Sequence, residues 1–117
     1  MNNSDNIIIK LTFEFALKII SYCDILHGLR KYKLSEQLFK SGTSIGANSN
    51  EAQNAESPAD FIHKFKIAAK EANETEYWLK LCQFSKSLPD CNELIYDLEP
   101  IQKIINQIIT TTKNKGK

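Results

Sequence analysis

Apolar residues recur at helical spacing along most of the chain, in four stretches parted by short polar segments. In the first stretch Phe15, Ile19, Tyr22, Cys23 and Leu26 stand three or four positions apart, which places them on one side of an amphipathic helix. The opening IIIKLTFEF has the β-branched content and alternation of a strand. The stripe continues for three more turns, however, so the spacing predicts one helix over about residues 7–27. Gly28 then stands where a left-handed residue closes a helix.

A second helix is expected over about 34–55, with Leu38, Ile45, Ala52 and Ala55 on its apolar side. Its middle, SGTSIGANS, is poor in helix formers, and each of Gly42 and Gly46 costs about 1 kcal/mol relative to alanine. Four apart, the two glycines share a face, and close approach of a neighbouring helix would offset the cost. The third helix has the clearest start: Ser57 at the N-cap, Pro58 at N1 and Asp60 at N3. It runs without Gly or Pro to about residue 85. A fourth is expected over about 91–112, begun by Asp90 and Glu93, with Leu94, Leu98, Ile101, Ile105 and Ile108 as its seam. Pro100 falls inside it and predicts a kink; residues 113–117 read as a frayed basic tail.

Four amphipathic helices with short connections predict an all-α, antiparallel up-down four-helix bundle filling residues 1–117 as a single domain. The stripes on the third and fourth helices look wider than one buried face needs. Trp78, Leu81, Ile95, Ile104 and Ile109 therefore predict a second covered surface, hence a homo-oligomer.

Composition narrows the function classes. With 117 residues, 42% hydrophobic and 25% charged, the chain matches ordinary globular proteins and neither collagen-like nor disordered ones. Cys23, Cys82 and Cys91 form no CxxC pair and read as reduced apolar fillers. The N-terminus shows no signal-peptide pattern and no apolar run is long enough to span a membrane, so a cytoplasmic location is expected.

Chemistry is sparse. A di-metal bundle needs Glu-x-x-His motifs on facing helices; Glu51, Glu71 and Glu74 cluster near mid-height, but neither His27 nor His63 completes such a motif. No Cys or Ser has a base positioned beside it, and Gly42–Gly46 lacks the lysine of a phosphate loop. No enzyme activity, cofactor or metal is expected. The net charge is only +1, without the global basic excess of a dedicated nucleic-acid binder. Local basic groups remain as candidate nucleic-acid contacts: Arg30, Lys31 and Lys33 at the first turn, and Lys64, Lys66 and Lys70 on the third helix. Asp90, Glu93, Asp97 and Glu99 gather at the start of the fourth helix, so charge is segregated.

Two runs carry a family resemblance: LFKSGTSIGANSNEA, from Leu38 to Ala52, and DFIHKFKIAAKEANETEYWL, from Asp60 to Leu79. Together they resemble the signature of the bacterial four-helix bundle proteins encoded in intervening sequences of 23S ribosomal RNA genes, over about Leu11 to Ile109. The resemblance implies a homopentameric ring. It also implies a relation to the accessory variability proteins of diversity-generating retroelements, pentameric barrels that bind reverse transcriptase and nucleic acid through a markedly basic surface. The +1 charge departs from that last feature. RNA or a nucleic-acid-processing protein becomes the expected partner, beside the chain itself; a scaffold without a nucleic-acid role is the alternative. The motif residues themselves read as structural. Ser41, Ser44, Asn48 and Glu51 are placed to meet Glu71, Asn73, Glu74 or Thr75 in a polar layer, with Gly42 and Gly46 at a close contact and Trp78 beside them.

Overall fold

The computed structural model describes residues 3–115, with side chains from residue 7 onward. It consists of α1 (Asn3–Gly28), α2 (Tyr32–Ala52), α3 (Pro58–Phe84) and α4 (Asn92–Lys115). There is no strand among the described residues, and IIIKLTFEF lies wholly in α1. The helical period wins there because Ile8, Thr12, Phe15 and Ile19 all bury on one side. The Thr12 hydroxyl donates back to the Ile8 carbonyl at 2.7 Å, so even the β-branched polar residue is satisfied inside the helix.

Each helix packs on two others. α1 meets α2 and α4, and α3 meets α2 and α4, so α1 and α3 occupy diagonal corners of an elongated body of 50 × 21 × 19 Å. Phe15, Ile19, Leu26, Leu38, Ile45, Phe65, Leu79, Leu98, Ile101 and Ile105 fill the interior. Among the described residues no helix is long and apolar enough to cross a membrane.

The glycines of α2 lie against α1. A Cβ on Gly42 would stand 2.9 Å from Ile19 Cγ1 and Cγ2, and one on Gly46 would stand 3.2 Å from Thr12 Oγ1. The weak helix formers around them are stabilised locally: Thr43, Ser49, Asn48 and Asn50 each bond a carbonyl four residues back, at 2.8 to 2.9 Å. These bonds hold polar side chains along a helix whose propensity alone is poor.

The helix ends correct several expectations. Arg30, not Gly28, takes the left-handed conformation, with φ 63°. The Lys31 N–H bonds the Leu26 carbonyl at 2.9 Å and the Arg30 N–H bonds the His27 carbonyl at 2.9 Å. That pair is the Schellman closure, so α1 runs past its glycine by one more peptide before it turns. α2 stops at Ala52 rather than residue 55, because Gln53, Asn54 and Ala55 each bond three residues back and tighten the chain. Ser57 caps α3 as predicted, accepting from Asp60 N at 3.0 Å. The Asp60 carboxylate accepts in return from Glu56 N at 3.1 Å. α4 continues through Pro100, which faces solvent, and extends to Lys115. Residues 113–115 are therefore helical, where a frayed tail was expected; residues 116–117 lie outside the described residues.

Candidate functional site

Of the predicted polar layer, one pair lies in the interior. Ser41 on α2 and Thr75 on α3 are buried, their hydroxyl oxygens 3.0 Å apart, and Thr75 also donates to the Glu71 carbonyl at 2.7 Å. Both groups are satisfied, so the layer fixes the register of α2 against α3 with little desolvation loss. The acids do not converge there. Glu51 is exposed and pairs with Lys64 at 3.2 Å. Glu74 is exposed and accepts from the Trp78 indole N–H at 3.2 Å, and Glu71 is half-buried at the side of α3. Ser44 and Asn48 spend their hydrogen bonds on their own helix. The physical reason is the cost of burying charge: a carboxylate on a two-helix seam turns outward unless a cation follows it inside. Among the described residues no group of three or more His, Cys, Asp or Glu could hold a metal ion.

The cysteines and Tyr22 are buried between the ends of α1, α3 and α4 and their connections. Cys23 Sγ donates to the Ser35 carbonyl at 3.4 Å, Cys91 Sγ to the Leu79 carbonyl at 3.2 Å, and the Tyr22 hydroxyl to the Pro89 carbonyl at 2.7 Å. Burial pushes the Cys23 and Cys91 thiols up to about 11 and raises Cys82 and Tyr22 as well. Such thiols stay protonated and unreactive.

The basic candidates fall into different settings. Arg30, Lys31 and Lys33 are all exposed, on and beside the strained turn. Lys64, Lys66 and Lys70 do not form one cluster. Lys64 is half-buried and turned to Glu51, whereas Lys66 and Lys70 are exposed. Lys18 bridges α1 to α4 through Asp97 at 2.8 Å and Glu93 at 2.9 Å. Hydrogen bonds to those two carboxylates, Asp97 first, raise its pKa further.

The surplus apolar surface is real but lies elsewhere than predicted. Trp78, Ile95, Ile104 and Ile109 are half-buried against the core, leaving only Leu81 of that set exposed. The large exposed apolar face is on α1: Phe13 (63% exposed), Leu17 (52%) and Ile20. At 100° per residue these three fall within roughly 60° of arc on the side away from Phe15 and Ile19. Across the α1–α2 groove stand Tyr32 and Phe39, also exposed, with the Tyr32 ring packed edge-on against His27 at 4.7 Å. Sequence reasoning did not single out this face, because periodicity marks the buried stripe of Phe15, Ile19, Tyr22, Cys23 and Leu26, and Phe13, Leu17 and Ile20 stand on the opposite side of the helix.

Comparison with known proteins places this architecture. Residues 4–107 match the family described as 23S rRNA-intervening sequence protein. A crystal structure from Bacteroides thetaiotaomicron, described as a protein with unknown function from the S23 ribosomal protein family, is 41% identical. The match covers 92% of this chain and 98% of that one, with a TM-score of 0.86. No curated protein matches. Neither description names an enzymatic activity. With the family match spanning nearly the whole four-helix body, the chain belongs to the 23S rRNA-intervening sequence protein family.

Proposed function

We propose that the protein is a non-catalytic, self-assembling helical scaffold of the bacterial cytoplasm that serves an RNA or ribonucleoprotein. The observation that carries the reading is the unpartnered apolar face of α1, with Phe13, Leu17 and Ile20 turned to solvent. Contiguous exposed faces of this kind mark interaction sites on soluble proteins. The occupant is a second copy of the chain, and the assembly is a homopentameric ring. An antiparallel up-down course of the helices agrees with the contacts, since Thr12 lies by Gly46, Ile19 by Gly42, and Cys23 by Ser35, in reversed order along the two helices. The RNA role takes its support from the family description and from the cations that no described acid engages. The net charge of +1 favours the second reading, a scaffold that docks only proteins.

A Leu17→Glu variant tests the assembly. Its side chain points away from the core, so the fold persists while the interface gains a desolvated charge. Sedimentation velocity is expected to show the variant at a smaller mass than the parent, with an unchanged helical circular dichroism spectrum. Equal masses for the two would reject the α1 face as the assembly surface.

A further inference from the structure

The outward face of α3 carries a second pattern, on the corner diagonal to α1. His63, Lys66, Lys70, Asn73, Tyr77 and Phe84 are all exposed, Tyr77 at 58% and Phe84 at 84%. At 100° per residue they fall within roughly 80° of arc, centred opposite the buried Phe65, Ala72 and Leu79. Cations occupy the N-terminal half of the strip and aromatic rings the C-terminal half. From Lys66 to Phe84 it is about 27 Å long at 1.5 Å per residue.

Two of the acids nearby are held in ion pairs and a third accepts a hydrogen bond. Glu74 holds the Trp78 indole, Glu76 pairs with Lys80 at 3.6 Å, and Glu51 takes Lys64. None of the ion pairs among the described residues involves Lys66 or Lys70. The strip thus presents two lysines held in no ion pair beside two exposed aromatic rings, on one helix.

Phosphates and bases are the matching chemistry. Lysines track a phosphate backbone, and exposed rings stack on bases with little regard to sequence. Stacking requires bases that are not already paired, and the deep, narrow major groove of duplex RNA admits no side chain. We propose that this face of α3 is a binding strip for single-stranded RNA. Lys66 and Lys70 contact successive phosphates, and Tyr77 and Phe84 each stack on a base. The assignment rests on the RNA reading above and specifies its site and ligand class.

The test is fluorescence anisotropy with a fluorescein-labelled ten-nucleotide oligouridylate, titrated at several salt concentrations, with a blunt RNA duplex alongside. The protein is expected to bind the single strand more tightly than the duplex. Tyr77→Ala/Phe84→Ala is expected to weaken single-strand binding at least about tenfold. A Tyr77→Phe/Phe84→Tyr variant, which keeps both rings, should retain it. Lys66→Gln/Lys70→Gln should lower the log–log salt slope by roughly 1.4, at about 0.7 per phosphate. All four positions are exposed, so melting temperatures should stay at the parental value.

Undiminished binding by the double alanine variant would overturn the strip while leaving the RNA reading in place, with Arg30, Lys31 and Lys33 as the next site. No binding of either RNA by the parent at low salt would overturn both. A change of assembly mass in the double alanine variant would also overturn it, by giving the face to a second protein copy.

Discussion

A methyl group at position 42 would meet Ile19 Cγ1 and Cγ2 at 2.9 Å, and Ile19 is a fully buried, β-branched side chain whose χ1 is stiff. Alanine is a better helix former than glycine by about 1 kcal/mol, but overpacking a close core contact costs about 1–3 kcal/mol. Gly42→Ala is therefore expected to lose stability, by about 1 kcal/mol in urea denaturation. At Gly46 the nearest atom is Thr12 Oγ1 at 3.2 Å, a milder contact, so Gly46→Ala should be closer to neutral, whereas Gly46→Leu should break the packing. Equal losses for the two alanine variants would argue against a closest approach at Gly42. Arg30 sits at the other kind of special position. A non-glycine residue in the left-handed region costs about 1–2 kcal/mol, so Arg30→Gly should stabilise the fold by about 0.5–1 kcal/mol after the unfolded-state entropy of glycine is subtracted. A lower melting temperature for Arg30→Gly would contradict the strained-turn reading. The glycine contacts were legible in the sequence, because two glycines four apart in a helix demand a close neighbour. The turn was not legible, because the Schellman bonds fall two residues past the only glycine nearby.

At the scale of elements, the buried thiols join the α1–α2 turn and the α3–α4 connection to the core, and they set a pH limit. Cys23 and Cys91 are raised from their ordinary value near 9 to about 11. Between those values the unfolded chain has lost protons that the folded chain still holds, so stability falls as pH rises. The melting temperature should be insensitive to these cysteines below about pH 8 and should decline from about pH 9 upward. A Cys23→Ala/Cys91→Ala variant should decline less steeply over the same range. An equally steep decline would assign the alkaline loss to other groups. The helices themselves were legible from periodicity and from the Ser57–Pro58 cap. Their outer faces were not, since the expectation of a wide stripe on α3 and α4 counted Trp78, Ile95, Ile104 and Ile109 as surplus. These residues are half-buried against the core, only Leu81 of the expected set stays exposed, and the exposed face of Phe13, Leu17 and Ile20 is on α1. A stripe width says how much apolar surface exists, and only the position of each neighbour says which part of it is already covered.

The whole molecule is an elongated four-helix body with unlike faces at diagonal corners: apolar on α1, cationic and aromatic on α3. Glu51 and Glu74, expected to meet inside, stand on the surface with Lys64 and the Trp78 indole, and the side-chain bond that joins α2 to α3 in the interior is Ser41–Thr75. The proposed function rests on these surfaces, and the proposed assembly would decide which of them remain open. The most direct test is the molar mass of the parental protein by light scattering over a dilution series. A mass close to five times 13.3 kDa, falling only at high dilution, is the predicted result. A mass of one chain at every concentration would contradict the account, leaving the α1 face without the partner proposed for it.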